Sequence, residues 1–325
     1  MKKRLITLLS VMFVAVFALA ACGNSDETIT LKLADNHPED YPTVIGDKKF
    51  AELVEEKTNG RYKIDVYAGG QLGDEKSVVE QLQLGSIDLT RVNATPLTEF
   101  SEDIGVLSLP YLFKDEESKW EHLNGEIGQE LLDSFEGTNL VGLAFYDSGE
   151  RSIYNSKRLV KTPEDMKGLK IRVQPSELAV NIFESFGSSA TPMEYGEVYS
   201  AIQTGVIDGA ENNLPSYYTS NHYEVAKYLT INKYSGPPEI LMASQSLWDK
   251  LSEEDKKAFK EAALESVEYQ REAWAKLVEE SKEAVIENGN EIFEVTDFAP
   301  WRKAVEPIYE KHGEKYKKWL DKLEQ

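Results

Sequence analysis

The chain has 325 residues, with 57 acidic against 36 basic side chains and a formal net charge of −21. A surface of that sign repels phosphate backbones, which excludes nucleic acid as a partner, and an anionic small ligand needs a local cluster of arginines to reverse the potential. Cys22 is the only cysteine, which excludes a disulfide within the chain.

Lys2, Lys3 and Arg4 precede an apolar run over 5–17 broken only by Thr7 and Ser10. That run is short of the roughly 20 residues of a membrane span and has the form of an export leader. Leu19, Ala20, Ala21 and Cys22 resemble the lipobox of bacterial lipoproteins, so 1–21 is expected to be a lipoprotein signal peptide, with Cys22 lipidated and 22–27 a short tether. The mature protein is then expected to be extracytoplasmic, lipid-anchored to the outer face of the bacterial cell membrane. Loss of three basic residues takes its charge from −21 to −24. About 300 residues remain, enough for two domains.

The spacing predicts a strand over 28–34, a helix over 44–57, a strand over 62–67 and a helix over 74–84, an alternation that favours α/β architecture. Residues 80–93, EQLQLGSIDLTRVN, and 200–213, SAIQTGVIDGAENN, match at a constant offset of 120: Gln83/Gln203, Gly85/Gly205, Ile87/Ile207, Asp88/Asp208 and Asn93/Asn213. Each copy reads as a helix closed by glycine and followed by a strand. Each follows its own opening strand, LKLADN at 31–36 and LKIRVQ at 169–174, which predicts two similar lobes.

Within 169–174, Leu169, Ile171 and Val173 alternate with Lys170, Arg172 and Gln174, the period of a strand with one face buried. Open α/β sheets bind ligands beyond the carboxyl ends of their strands, so the strand-end residues of both lobes converge on one cleft. Those residues are Asn36, Arg91, Asn93, Arg172, Gln174, Asn212 and Asn213, a set expected to be polar, cationic and poor in acid. Arg151, directly after the small residues of YDSGER, is a second cation suited to a carboxylate, since a guanidinium fork matches two oxygens at once.

From 252 to 286 there are few helix breakers, a capping signal runs from Ser252 to Asp255, and Phe259, Ala262, Leu264, Val267, Trp274 and Leu277 recur at helical spacing as expected core. Such a helix is about 50 Å long and able to brace both lobes. A second helical stretch, 301–323, ends the chain. His37, His122, His222 and His312 are scattered, with no zinc-binding spacing, no nucleophile elbow, no P-loop and no dinucleotide fingerprint, so neither a catalytic site, nor a metal, nor a cofactor is expected.

The runs TPEDMKGLKIRVQPSE and TPMEYGEVYSAIQTGVIDGAENN, together with GGQLGDEKSVVEQLQLGSIDLT, LPYLF at 109–113 and the long C-terminal helix, resemble the substrate-binding proteins of TRAP transporters, the DctP family, across the whole mature chain. The resemblance implies a two-lobed periplasmic-binding-protein-like α/β fold with a long C-terminal helix spanning both lobes. Lobe I is expected over 28–149 plus about 238–277, and lobe II over 150–237 plus about 278–325. It implies a monomeric solute-binding component, not an enzyme, that closes on an organic acid about a hinge. Its partners would be that acid and the small and large membrane subunits of a sodium-driven TRAP transporter.

Carried onto this chain, the resemblance makes Arg172 the carboxylate clamp, with Asn212, Arg151 and Tyr195 beside it, and Asn36, Glu75 and the 91–93 strand end facing the ligand's other end. Asn93 stands where sialate-binding members carry Glu, which argues against sialate. Asn36 with His37, Thr90 with Arg91, and the ENNLPSYYT run with Tyr217 are similar to the branch that takes sugar acids such as glucuronate or galacturonate. C4-dicarboxylate or keto-acid binding, and an ABC-type solute-binding lipoprotein, are the alternatives.

Overall fold

The computed structural model describes residues 28–323. The leader, Cys22 and the tether through residue 27 lie outside the described residues.

The chain runs β1 (Ile29–Ala34), α1 (Pro42–Lys57), β2 (Tyr62–Tyr67), α2 (Glu75–Gln83), β3 (Leu89–Asn93), α3 (Glu116–Leu123), α4 (Glu126–Asp133) and β4 (Leu140–Tyr146). It continues with β5 (Arg151–Asn155), β6 (Lys170–Val173), α5 (Glu177–Ser185), β7 (Ser189–Pro192), α6 (Val198–Gln203), β8 (Gly209–Asn212), α7 (Leu214–Thr219), α8 (His222–Val225) and β9 (Tyr228–Ser235). Then come β10 (Glu239–Ser244), α9 (Gln245–Trp248), α10 (Glu253–Glu287), β11 (Glu291–Glu294), α11 (Ala299–Ala304) and α12 (Glu306–Leu323).

Two sheets result, β2-β1-β3-β10-β4 and β11-β9-β5-β8-β6-β7, the frames of the two lobes. Strands β1, β2 and β3 are parallel, as are β6, β7 and β8, and in each sheet a strand from the far side of the crossing runs antiparallel to them. The first sheet buries one face against α1 and α10 through Phe50, Leu53, Phe259 and Ala262. Its other face belongs to a cluster that runs on through Ile104, Leu107, Tyr316 and Trp319 to Ile171, Val173 and Phe183 under the second sheet.

The internal repeat is structural. In the first copy, the Asp88 carboxylate accepts a hydrogen bond from the Lys32 amide of β1 at 2.9 Å; in the second, Asp208 accepts from the Lys170 amide of β6 at 2.9 Å. Each aspartate thus pins the loop before its own strand, β3 or β8, to the start of the parallel neighbour. The glycines before them sit at φ +69 and +75, a left-handed bend that any Cβ resists. Open space surrounds Gly205, so Gly205→Ala isolates that backbone term. It is expected to lower unfolding free energy by about 1 kcal/mol in urea titrations, with an unchanged m-value.

Helix α10 is 35 residues long and spans both lobes, packing on α1 and β4 of the first and α7 of the second. At its middle, Gln270 takes the Asp147 amide on Oε1 and donates from Nε2 to the Asp147 carbonyl, both at 2.8 Å. One turn on, Trp274 covers Gly149, which has φ +59 and where a Cβ would lie 2.7 Å from the indole ring. Ser148 donates to the Pro237 carbonyl at 2.5 Å, tying the β4–β5 connection to the β9–β10 connection. Leu264, expected in the core from its helical spacing, is 61% exposed: α10 is covered by neighbours along only part of its circumference, and Leu264 faces away from them.

Candidate functional site

The carboxyl ends of the parallel strands of both sheets meet in one cleft of about 310 Å3, counting its mouth. Its lining comes from Arg151, Arg172, Gln174, Tyr195, Asn212, Asn213 and Ser216 on the second-sheet side and Asn36, His37, Glu75, Asn93 and Glu239 on the first. The lobes touch across it. Tyr41 shares a 2.7 Å hydrogen bond with Ser216, Gln174 donates to Asn93 at 3.1 Å, and the His37 and Tyr195 rings lie 5.5 Å apart.

On the second-sheet wall the two arginines play different parts. Arg151 is paired: Nε and Nη2 engage the Glu211 carboxylate at 2.5 and 2.9 Å, and Nη2 also donates to the Glu211 carbonyl at 3.1 Å. Tyr234 adds a third donor to that carboxylate at 2.6 Å. Arg172 is 2% exposed, yet only its Nε is bonded, to the Met193 carbonyl at 2.8 Å; its Nη1 lies 3.9 Å from Glu211, already taken by Arg151. Burial, with the Arg151 charge in addition, pulls its pKa below the ordinary arginine value, while Glu211 opposes the shift. A guanidinium that lines a cleft with neither outer nitrogen hydrogen-bonded keeps the parallel donors that match a carboxylate. Asn212 adds an amide beside it, since its Oδ1 is held by the Asn213 amide at 2.9 Å, leaving Nδ2 as the donor.

The first-sheet wall is acidic, contrary to the expectation of a cleft poor in acid. Arg91 does not line the cleft. It lies 1% exposed behind the wall, where its guanidinium grips Asp35 through Nε and Nη2 while Nη1 bridges Glu75 at 2.9 Å and Glu239 at 2.7 Å. Glu75 Oε1 also takes the Asn93 amide at 3.2 Å, and Glu239 Oε1 takes the Asn93 side-chain amide at 2.9 Å, so Glu75 Oε2 is the unpaired acceptor turned to the cleft. Burial outweighs Arg91 and, with the Glu239 charge, pushes the Glu75 pKa up to about 7.

Arg91 Nη2 also lies 2.7 Å from His37 Nδ1. A guanidinium only donates, so Nδ1 is the acceptor and the ring proton sits on Nε2, despite Asp35 at 3.3 Å. Burial and then the Arg91 charge hold the His37 pKa below its usual value, so His37 enters the wall as a neutral donor stacked at 3.9 Å on Tyr41. Behind them Asp47 is fully buried with neither oxygen partnered; burial, then the Asp35 charge, raises its pKa well above the carboxylate range, and it counts as a neutral acid.

Of the eleven side chains singled out in the sequence for the ligand, nine line the cleft. Arg91 is the buttress behind it. Tyr217 stands away from it: fully buried in the second lobe, its hydroxyl donates to the Ala226 carbonyl at 2.5 Å and takes Asn290 at 2.6 Å, and its ring packs on Tyr154. Glu239 and Ser216 were not foreseen. Glu239 follows the Pro237-Pro238 crossing, which in sequence marks only a connection. A larger hollow, about 830 Å3, lies on the outer surface beside α3 and α4, but it is lined by Glu121, Glu126 and Glu130 with Lys322, which Glu130 already engages.

Two hinged α/β lobes, joined by paired crossings and braced by one long helix, with an arginine-bearing cleft between them, define an extracytoplasmic solute-binding protein. Residues 33–316 match the model of the bacterial extracellular solute-binding proteins, family 7, DctP. The chain belongs to that family, the solute-binding component of TRAP transporters. It is 40% identical over 274 residues to a solute-binding protein of Chromohalobacter salexigens, covering 84% of this chain and 82% of that one. Among solved structures it is similar to a TRAP periplasmic solute-binding protein of a Bradyrhizobium species in complex with galacturonate, with a TM-score of 0.89, 41% identity and coverage of 91% and 99%. A TRAP protein of Pseudomonas putida F1 with bound D-glucuronate gives a TM-score of 0.88, 36% identity and coverage of 91% and 97%. Among the described residues no helix is long and apolar enough to cross a membrane.

Proposed function

We propose that the protein captures a sugar acid of the glucuronate or galacturonate type and delivers it, unaltered, to the membrane subunits of a sodium-driven TRAP transporter. The observation that carries this reading is Arg172, buried in the cleft lining with neither outer nitrogen hydrogen-bonded while its neighbour Arg151 is already paired with Glu211. The carboxylate of the ligand sits on Arg172 and Asn212, and its hydroxyls meet acceptors and donors on the opposite wall, Glu75, Asn36 and His37. The uronates bound by similar structures support this assignment.

Capture works by closure of residues 28–149 plus about 238–277 onto 150–237 plus about 278–325. Only the closed form satisfies both ends of the ligand, so binding shifts the population toward it. The membrane subunits read that form, and Cys22 tethers the monomeric protein by lipid to the outer face of the membrane.

The test is a thermal-shift and calorimetric screen of glucuronate and galacturonate against C4-dicarboxylates and keto acids. A uronate at 100 times its dissociation constant should stabilise the fold by about 2.7 kcal/mol, bind one to one and be recovered unchanged. Stabilisation by a dicarboxylate or a keto acid alone would contradict the sugar-acid reading, and product formation would contradict capture without turnover.

A further inference from the structure

We infer that Glu75 and Glu239 form a charge filter that admits polyhydroxy monoacids and rejects diacids of the same length; this deepens the sugar-acid reading and rests on it.

The cleft is electrically lopsided. On the second-sheet wall Arg151 and Arg172 face Glu211, a formal balance of +1. On the first-sheet wall Arg91 faces Asp35, Glu75 and Glu239, a balance of −2. All these charged side chains are at most 11% exposed, so water screens little of the difference. A monoacid places its one carboxylate on Arg172 and sets hydroxyls against the acidic wall, where Glu75 Oε2 accepts an O–H. A diacid of equal length must set its second carboxylate against that same oxygen. The cation of that wall, Arg91, lies behind the carboxylates and is already divided among three of them. Like charges brought together in a closed site repel, and a specific binder uses such a clash against the wrong partner as readily as a contact with the right one.

Geometry also fixes which member of the pair is adjustable. Glu239 has both oxygens engaged, one by Arg91 and one by Asn93, whereas Glu75 Oε2 is unengaged. The groups facing Glu75 are Arg91 on β3, Glu239 on β10, Asp35 beyond β1 and, across the cleft, Arg172 on β6. Burial and Glu239 prevail over Arg91 and place its pKa at about 7. Below that pH Glu75 becomes a neutral donor, the wall loses one negative charge, and rejection of a diacid relaxes.

The experiment is calorimetry on matched acids, glucuronate with glucarate and erythronate with tartrate, at pH 8 and pH 5.5, using the full mature protein and its Glu75→Gln variant. The filter predicts that the diacid of a pair binds on the order of 100-fold more weakly than the monoacid at pH 8. It predicts that this ratio shrinks at least tenfold at pH 5.5 and in Glu75→Gln, chiefly because the diacid binds better. Diacids bound as tightly as monoacids at pH 8, or a ratio unmoved by both acidification and Glu75→Gln, would overturn it; so would a protein that bound none of the four. Preference for erythronate over tartrate without glucuronate binding would support the filter while removing the uronate reading, so the two failures are distinguishable. Circular dichroism on Glu75→Gln separates a refolded cleft from a lost charge. Should that variant fail to fold, the pH comparison on the unaltered protein decides in the same terms.

Discussion

Arg172→Ala is expected to weaken binding of glucuronate or galacturonate by about 2–5 kcal/mol, roughly 30-fold to several-thousand-fold, because the carboxylate is then buried without its partner. The same change is expected to leave the stability of the ligand-free protein unchanged or to raise it. Arg172 has a single backbone hydrogen bond, shares the Glu211 carboxylate with Arg151, and is held by burial below its ordinary pKa, so the fold gains little from keeping it charged there. Arg172→Lys should not restore affinity, since an ammonium is a point charge and cannot present two parallel donors. Calorimetry with a parallel urea titration checks both halves. Affinity lost only in proportion to stability would assign Arg172 to the scaffold instead.

Glu211 carries the opposite balance. Its carboxylate takes two bonds from Arg151, one from the Tyr234 hydroxyl, and lies 3.9 Å from Arg172, at 1% exposure. Glu211→Ala leaves two buried guanidinium groups without a counter-charge and is expected to cost about 3–5 kcal/mol of stability, a fall of about 10 °C in melting temperature for a protein of this size. A uronate supplies the missing negative charge, so saturating ligand should recover part of that loss. That recovery, read by differential scanning calorimetry with and without glucuronate, is the signature of a ligand that lands beside the arginine pair. Equal losses in both conditions would mean that Glu211 stabilises the lobe without reference to the site.

The contrast between these two residues explains what was legible in the sequence. Arg172 was legible because a strand alternates strictly: with Leu169, Ile171 and Val173 taken as the buried face, the position of Arg172 at a strand end followed. The two-lobe plan was legible because the repeat preserved the residues that do the work, a glycine at a left-handed bend and an aspartate that accepts from the neighbouring strand, Asp88 with Lys32 and Asp208 with Lys170. Pairings across distant parts of the chain were not. Glu239 meets Arg91 over 148 positions and Arg151 meets Glu211 over 60, and no local period records such a contact. The expectation of a cleft poor in acid failed for that reason, because both carboxylates that line it, Glu75 and Glu239, arrive from outside the strand ends. Leu264 failed differently: helical spacing locates a stripe, but a 35-residue helix that braces two lobes leaves stretches of that stripe uncovered. Tyr217 belongs to the motif that leads into α7, yet its ring turns into the core, where its hydroxyl serves Ala226 and Asn290.

The most direct measurement is a crystal structure of the protein with glucuronate. The carboxylate should lie within hydrogen-bond distance of both outer nitrogens of Arg172 and of the Asn212 amide, with ring hydroxyls against Glu75 and His37. A carboxylate turned to the Glu75–Glu239 wall, or a ligand seated anywhere but between the lobes, would contradict the account.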